Sequence, residues 1–429
     1  MRSRTIRVDR LARVEGEGAV RLVVRNGEIA SARLGIFEPP RFFEALLRGR
    51  AYTEAPDITS RICGICPVAY QMSTVHALEN ALGIEVSAPV RDLRRLLYCG
   101  EWIESHALHI TLLHAPGFLG CDSAIEMARE HGEALRRGLA LKQMGNDIIT
   151  LLGGRSVHPV SVCVAGFHRV PRRAELAGLT ERLERAREAA LATVRWTAGF
   201  EFPDCERDYT FVALHHPREY PFNAGRIASN RGLDIPSAEF ERHIERRQVR
   251  RSTALHTELR SAGPYLTGPL ARYSLNFERL APIAQEAALA AGLGRSCTNP
   301  FRSIVVRAVE VLHACDEALR IIARYEEPDA AACAHEPRAA SGFAATEAPR
   351  GLLYHRYRLD ADGTLLEACI VPPTAQNQAA IEEDLRRFAS RFLALPRTQL
   401  RERCEQLVRN HDPCISCATH FLRLQVTGR

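Results

Sequence analysis

The first forty residues alternate between apolar and polar positions in the way that β-strands do. Apolar residues stand at every second position of 20–24, and Asn26-Gly27 follows directly. This dipeptide favours a type I′ turn, because asparagine and glycine both tolerate the positive φ that the turn requires. We therefore expect a β-hairpin whose second strand runs through Leu34.

After position 90 the apolar spacing becomes helical. Until Pro116 interrupts the pattern, apolar residues recur three or four positions apart, at Leu93, Leu96, Leu97, Ile103, Ala107 and Ile110. This spacing predicts a long buried helix. A second long helix is expected from a capping box, Ser123 with Glu126, to Gly153-Gly154. Its apolar stripe contains Leu139, Met144, Ile148 and Leu151.

Other helical patterns occupy 172–198, 237–262, 303–326, 376–394 and 397–409. The segments 354–359 and 365–371 have strand patterns and flank the turn Asp360-Ala361-Asp362-Gly363. The stretch 327–349 is rich in Ala, Glu and Pro, and we expect a loop there. Together these patterns predict an α+β fold with a central bundle of long helices. Small β elements come from both ends of a single domain over residues 1–429.

Composition limits the class of protein. With 46% apolar and 25% charged residues, the 429-residue chain has the profile of a soluble globular protein. It has no run of roughly 18 apolar residues that would predict a membrane span, and no apolar run near Met1 that would predict a signal peptide. Thirteen cysteines without such a signal indicate a reducing, cytoplasmic setting. The charge of +6 comes from arginine, Lys142 being the single lysine, and no basic stripe indicates nucleic-acid binding.

Two Cys-x-x-Cys pairs carry the candidate chemistry. They are Cys63-Gly64-Ile65-Cys66 and Cys414-Ile415-Ser416-Cys417, near opposite ends of the chain. Two intervening residues let both sulfurs of a pair face one ion. Four thiolates suit zinc, an iron–sulfur cluster, or nickel and iron, and spacing alone leaves these open. Zinc ribbons usually place their pairs much closer in sequence.

The residues around these pairs occur in an ordered set of motifs. The motifs are Arg13-Val14-Glu15-Gly16-Glu17, Arg61-Ile62-Cys63-Gly64-Ile65-Cys66, Gly153-Gly154-Arg155 leading to His158-Pro159, Ala348-Pro349-Arg350-Gly351, and Asp412-Pro413-Cys414 through His420. With them, the sequence resembles the large subunit of nickel–iron hydrogenases over nearly its full length. The segments 55–71 and 115–124 are most similar to the cytoplasmic branch that couples hydrogen to NAD or NADP, also called sulfhydrogenases.

The resemblance implies reversible heterolytic cleavage of H2 to two protons and two electrons. It implies that all four thiolates hold nickel, with Cys63 and Cys414 terminal, while Cys66 and Cys417 bridge to an iron that carries cyanide and carbon monoxide. A terminal thiolate such as Cys414 would take the first proton. Glu15 matches the family's next proton carrier.

Other positions are implied in supporting roles. Arg350 matches the arginine that overhangs the open metal position and faces the cyanides, which a permanently charged planar donor suits. Pro373 stands where many relatives have a cyanide-binding serine, which leaves Thr374 or backbone groups as substitute donors. A second site for magnesium or iron is implied at Glu44, His420 and a backbone carbonyl around Cys369. The alternative for Glu44 is a solvated helix face.

Two further positions depart from the family's pattern, and three histidines have an alternative explanation. Tyr70 stands where many membrane-bound and periplasmic relatives have a histidine. Gly117 falls where relatives often have an aspartate that pairs with this arginine, so the resemblance does not identify the residue that holds Arg350. Histidines on the long buried helix are expected to be hydrogen-bonded core groups rather than ligands. They are His106, His109 and His114.

The remaining cysteines are scattered, so no iron–sulfur cluster is expected in this chain. The resemblance implies partners: a small iron–sulfur subunit, then flavin and iron–sulfur subunits that react with NAD or NADP. It also implies metallocentre-assembly proteins, and a protease that removes residues 421–429 after His420. Two alternatives remain open. One is a hydrogen sensor of the same fold, although such sensors typically lack a removable extension, and the other is a structural four-cysteine zinc subunit of a redox complex.

Overall fold

Long helices form the middle of the molecule, and small antiparallel sheets lie around them. The computed structural model describes residues 3–419. Within that range the α-helices, numbered α1 to α14 in chain order, are Phe43–Leu46, Ala55–Ser60, Pro67–Leu82, Ala88–Leu108, Ala115–Phe118, Ala124–Gly153, Arg173–Ala177, Thr180–Ala198, Phe240–His243, Pro269–Asn276, Pro282–Ala290, Ser303–Arg324, Pro373–Ser390 and Arg397–Asn410. None of these described helices has the length and apolar character needed to cross a membrane.

The strands between residues 3 and 419 pair as antiparallel neighbours in small sheets. Numbered β1 to β13, they are Ser3–Val8, Gly18–Arg25, Glu28–Ile36, Val162–Cys163, Gly166–Phe167, Val212–His215, Arg226–Ser229, Asp234–Ile235, Ile244–Arg247, His256–Leu259, Ala340–Ala348, Gly351–Leu359 and Leu365–Val371. Three sheets have three strands, β1-β2-β3, β6-β7-β8 and β11-β12-β13, and two are hairpins, β4-β5 and β9-β10. The α+β prediction is confirmed.

The N-terminal sheet brings the two ends of the chain together. Asn26 and Gly27 have φ values of 51° and 84°, so the predicted turn joins β2 to β3, with β1 added beside β2. The buried residues of this sheet pack against α13 and α14 in one apolar cluster, which includes Val8, Leu22, Leu34, Leu385, Phe388 and Leu407. The start and the end of the chain therefore share a core.

The predicted long helix does not end at Pro116. A six-residue π-helix, His109–His114, follows α4, and Pro116 lies in the first turn of α5, a position at which a helix tolerates proline. The second predicted helix is α6. Ser123 accepts a hydrogen bond from the Glu126 N–H as expected, whereas the Glu126 carboxylate binds the Asp122 N–H instead of completing the box. Leu139 is 47% exposed, so its assignment to the apolar stripe was wrong.

Two predicted elements were wrong. The predicted helix at 237–262 is α9 followed by the hairpin β9-β10, because Ile244 and Leu259 pair across the strands and bury their side chains together. The expected loop at 327–349 contains β11. A Cβ atom at Gly342 would lie 1.8 Å from the Ala77 carbonyl oxygen, so α3 approaches β11 too closely for larger residues. The small residues that permit this contact hid the strand pattern.

The other elements were predicted well. The patterns at 303–326, 376–394 and 397–409 correspond to α12, α13 and α14, and the one at 172–198 to α7 and α8, which a short turn at Gly178 separates. The hairpin around Asp360–Gly363 is β12-β13.

Helices α4 and α6 touch through glycines, and this contact predicts a stability effect. A Cβ at Gly145 would lie 2.5 Å from the Gly100 carbonyl oxygen and 2.6 Å from the Glu104 nitrogen. We expect Gly145→Ala to lower the free energy of unfolding by about 1–3 kcal/mol, because rigid backbone must move. Gly132 is the matched control, since its nearest neighbour is the flexible end of Arg136 at 3.6 Å. Gly132→Ala should raise stability by up to about 1 kcal/mol. Equal denaturation midpoints for the two variants would contradict this packing.

Candidate metal centre

Four cysteine sulfurs from opposite ends of the chain meet in one buried site. Cys63 and Cys66 lie on the turn between α2 and α3, and Cys414 and Cys417 follow α14. All four are buried, and their Sγ atoms lie within 4.8 Å of one another. The Sγ atoms of Cys63 and Cys414 are 3.6 Å apart. The backbone N–H groups of Ile65 and Cys66 point to the Cys63 sulfur, at 3.3 and 3.4 Å.

The N-terminal segment holds the second pair in place. Glu15 and Cys414 form a parallel β-bridge, in which the Ile415 N–H donates to the Glu15 carbonyl at 3.1 Å. The Ser416 N–H donates to the Glu15 carboxylate at 3.0 Å. Gly16, with φ of 82°, leaves no side chain to collide with Ile415, whose Cβ would be 2.8 Å from an added Cβ. The partly buried Glu15 carboxylate is therefore fixed beside the Cys414–Cys417 turn.

Thr374, at the start of α13, binds the same turn. Its hydroxyl oxygen accepts a hydrogen bond from the Cys414 N–H at 2.9 Å, so its own proton can be donated elsewhere. Its neighbour Pro373 is buried at the first position of α13 and has no N–H to give. The expectation that Thr374 supplies the donor missing at Pro373 therefore agrees with the geometry and stays a prediction.

Arg350 is the buried cation of the site. It lies at the turn between β11 and β12, 2% exposed, and donates to the Asp412 carbonyl at 3.0 Å and carboxylate at 3.2 Å. Its Nη1 is buried without a hydrogen-bond partner within residues 3–419. Burial by itself would lower the pKa of Arg350, but Asp412 and the thiols of Cys414, Cys66 and Cys63 raise it well above its usual value. The guanidinium is permanently charged.

Asp412 supplies the carboxylate beside Arg350 that Gly117, at the position where relatives often have an aspartate, cannot supply. A Cβ at Gly117 would face the guanidinium groups of Arg13 and Arg409 at 3.5–3.8 Å, not that of Arg350. The carboxylate beside Arg350 comes instead from Asp412, whose positive φ of 47° turns the chain between α14 and Cys414. Sequence reasoning quoted this aspartate as part of a motif and gave it no role.

The comparisons with known proteins decide the family. The family model for nickel-dependent hydrogenases matches residues 41–143 and 273–420. Sulfhydrogenase 1 subunit alpha of Pyrococcus furiosus is 32% identical over 98% of each chain, and sulfhydrogenase 2 subunit alpha of the same organism is 34% identical over 98% of this chain and all of its own. This chain belongs to the nickel-dependent hydrogenase family.

The fold of this hydrogenase agrees with that assignment. It matches the crystal structure of an NAD+-reducing nickel–iron hydrogenase in the H2-reduced state with a TM-score of 0.88 and 26% identity, covering 97% of this chain and 99% of that one. The resemblance noted in the sequence is confirmed. The chain is the catalytic large subunit of a nickel–iron hydrogenase.

A buried network beneath Arg350 fixes its backbone, and sequence patterns gave no sign of it. Arg272 of α10 donates to the carbonyls of Ala348 and Pro349 at 2.7 and 2.8 Å. It also pairs with Glu310 and Glu347, each at 2.9 Å, and none of the three side chains is exposed. The guanidinium of Arg272 therefore pairs with two buried carboxyl groups while holding the two residues that precede Arg350.

Glu44 is buried, so the alternative that it lies on a solvated helix face was wrong. It is 4% exposed, and its carboxylate accepts from the Ile370 N–H at 2.8 Å and from Arg246 at 3.4 Å. It thus lies next to the β13 backbone at Cys369, as the predicted second metal site requires. His420, the remaining predicted ligand, lies outside the described residues. The second site stays a prediction.

The histidines of the long helix are hydrogen-bonded core groups, as expected. His106 bonds to Glu310, His109 to the Arg409 carbonyl and His114 to Asn410, each at 2.9 Å. Burial lowers the pKa of His106 to about 4 and the pKa values of the other two well below the usual range. All three are neutral near pH 7 and belong to the scaffold around Arg350 and Asp412. Tyr70 is likewise buried, 5.8 Å from His355 between ring centroids.

The residues at the site fit a nickel–iron group. Thiolates are the soft donors that nickel and iron accept. A closed zinc site would use the four sulfurs and would give the buried Nη1 of Arg350 no hydrogen-bond acceptor. A group that carries acceptor ligands beyond the sulfurs would engage both that N–H and the Thr374 hydroxyl.

The Thr374 contact yields a prediction for stability. Thr374→Val keeps the shape of the side chain but leaves the buried Cys414 N–H without an acceptor. We expect the free energy of unfolding to fall by about 1–3 kcal/mol, seen as a lower denaturation midpoint. Thr374→Ser keeps the acceptor and should stay near the wild type. A valine variant as stable as the serine variant would show that the bond does not hold this turn.

Proposed function

We propose that Cys63, Cys66, Cys414 and Cys417 hold a nickel–iron centre whose iron carries cyanide and carbon monoxide. The chain would then use this centre to interconvert H2 with two protons and two electrons, which pass to an iron–sulfur small subunit and on to NAD or NADP. The observation that carries the proposal is the meeting of four buried sulfurs within 4.8 Å beside the buried cation Arg350.

The metals, when bound, would supply the open position at which H2 is polarised and the redox states that accept its electrons. The chain's own residues then handle charge and protons. Arg350 supplies a fixed positive charge and an N–H donor, which Asp412 and the Arg272 network keep in place. Thr374 orients Cys414 through its N–H and can donate to a cyanide.

Protons leave by way of Glu15. In our proposal the thiolate of Cys414 accepts the first proton, and Glu15 takes it onward. Two contacts support this order. The Glu15 carboxylate is bonded to the N–H of Ser416, two residues from Cys414, and Glu15 is only partly buried, so water can reach its other side.

Electrons leave through a partner subunit that covers the first cysteine pair. Two large apolar side chains are exposed here, Val157 and Phe42, and Arg41 beside Phe42 donates to the carbonyl of Ile62, the residue before Cys63. Val157 lies close to the turn of the first pair, 3.9 Å from an added Cβ at Gly64. Exposed apolar groups around a buried redox site suit a docked subunit. The relatives' names describe alpha subunits, which agrees with a multisubunit enzyme.

Maturation completes the proposal. Assembly proteins would deliver the metals and diatomic ligands, and a protease would then remove residues 421–429 after His420. Glu44, the carbonyl region of Cys369 and His420 would hold magnesium or iron. The Glu44 carboxylate at the Ile370 N–H supports this second site. We assign the enzyme to the cytoplasm and treat residues 1–429 as one domain whose last nine residues are the removable extension.

The function is tested by exchange between H2 and D2O, which needs no electron acceptor. We expect the assembled enzyme to form HD, and Glu15→Gln to lower that rate by about 10²–10⁴-fold, because the variant cannot accept a proton. Glu15→Asp, which keeps a carboxylate, should restore part of the rate. Glu17→Gln is the matched control, since Glu17 is exposed two positions away.

Nickel content should be equal in all of these variants. Exchange at the wild-type rate in Glu15→Gln would contradict the role of Glu15. An assembled, nickel-containing wild-type enzyme without exchange would contradict the function.

A further inference from the structure

Two buried glutamates of α4 lie near the first cysteine pair, whereas Glu15 binds the turn of the second pair. Glu101 is completely buried and Glu104 is 5% exposed. The Glu101 carboxylate accepts the N–H groups of Val68 and Ala69 at 2.7 and 3.0 Å, in the first turn of α3. Because α3 begins directly after Cys66, the Glu101 carboxyl group lies beside the first cysteine pair.

Glu104 lies one helical turn further along α4 and leads toward solvent. Residues three positions apart are neighbours on a helix surface. The Glu104 carboxylate is 3.4 Å from the Nζ of Lys142, the single lysine of the chain. The Lys142 side chain is 30% exposed, so water reaches the far end of this ion pair. Gly145 lets α6 lie directly against the Glu104 backbone.

The charged groups that act on Glu104 come from four elements. Lys142 of α6 is in contact with it, and Arg350 of the β11–β12 turn, Cys63 of the first cysteine pair and Glu101 of α4 act on it electrostatically. Burial raises the pKa of Glu104 to about 7, against the opposing charges of Lys142 and Arg350. Burial and the charge of Glu104 also raise the pKa of Glu101 well above its usual value. Glu104 can therefore gain and lose a proton near neutral pH.

We propose that Glu104, with Glu101 beside it, is a second proton carrier between the metal centre and solvent. This inference rests on the proposed function. During H2 oxidation a proton released at the centre binds the Glu104 carboxylate, giving a carboxylic acid, and then passes to water at Lys142. The carboxylate is restored, and the electrons leave separately through the small subunit. H2 formation uses the same steps in reverse.

Lys142 has a tuning role in this route. Its positive charge keeps Glu104 from holding a proton too tightly. Removing the charge in Lys142→Met should raise the pKa of Glu104, so the pH dependence of proton transfer moves upward. Lys142→Arg keeps the charge and should keep the pH dependence in place.

The test uses the assembled enzyme and measures HD formation from H2 in D2O across pH. We expect Glu104→Gln to slow exchange by about 10-fold or more, because general acid–base groups typically contribute about 10²–10⁴-fold and Glu15 still works. Glu317→Gln is the matched control. Glu317 is also a buried, ion-paired glutamate, bonded to Arg95 at 2.5 Å, but it lies on α12 away from the cluster.

A second measurement does not depend on turnover. Infrared difference spectra between pH 8 and pH 6 should show a carboxylic acid band from Glu104, which Glu104→Gln abolishes. In Lys142→Met the same band should appear at a higher pH than in the wild type. The cyanide and carbon monoxide bands report whether each variant has an intact centre. If Glu104→Gln fails to assemble, the Lys142 variants decide, because their substitutions lie at the solvent end of the route.

The outcomes separate the two proposals. Wild-type exchange and an unchanged pH profile in Glu104→Gln and Lys142→Met would overturn the second route, while slow exchange in Glu15→Gln would still support the proposed function. An intact wild-type enzyme that makes no HD would overturn the proposed function itself.

Discussion

The structure depends on bringing two Cys-x-x-Cys turns from opposite ends of the chain into contact. Closing a loop of this length is entropically unfavourable, so many interactions must hold the closed state. The shared core of the N-terminal sheet with α13 and α14 supplies most of them. The bridge between Glu15 and Cys414 and the bond from Cys414 to Thr374 then fix the final turn. The site can therefore form only when the whole chain has folded.

The second constraint is the free-energy cost of burying charged groups around the four cysteines. Burial raises the pKa of the thiols of Cys414 and Cys417, because a buried thiolate is costly without a nearby cation. Arg350 supplies one cation, and a metal would supply the rest. Arg350 is itself buried, so Asp412 must pair with it and Arg272 must hold its turn. Buried ion pairs and hydrogen bonds thus connect Arg350 to the core, where His106, Arg272 and Glu310 link helices α4, α10 and α12.

Sequence patterns predicted the parts of the fold that local chemistry controls. The Asn26-Gly27 turn, α12 and the β12-β13 hairpin follow from turn residues and apolar spacing. The patterns failed for elements whose secondary structure is determined by contacts with distant parts of the chain. β11 is rich in small residues and has Gly342 where α3 lies against it, and β9 and β10 are strands because Ile244 and Leu259 are buried by pairing. No local pattern carries that information.

The same distinction holds at the site. The cysteines and Arg350 stand in motifs, so sequence could nominate them. The partner of Arg350 could not be found that way, because Asp412 is 62 positions distant and reaches it only through the turn after α14. Arg272 and Glu310 have no motif at all, since their role is to neutralise each other within the core. Glu101 and Glu104 were hidden in a helix whose apolar pattern was the dominant signal.

The most direct test of this account is metal analysis with infrared spectroscopy on the anaerobically purified native complex. The account predicts about one nickel per large subunit, with absorption bands from iron-bound cyanide and carbon monoxide that disappear in Cys417→Ser. Stoichiometric zinc without those bands, in complex whose C-terminus has been processed, would contradict it.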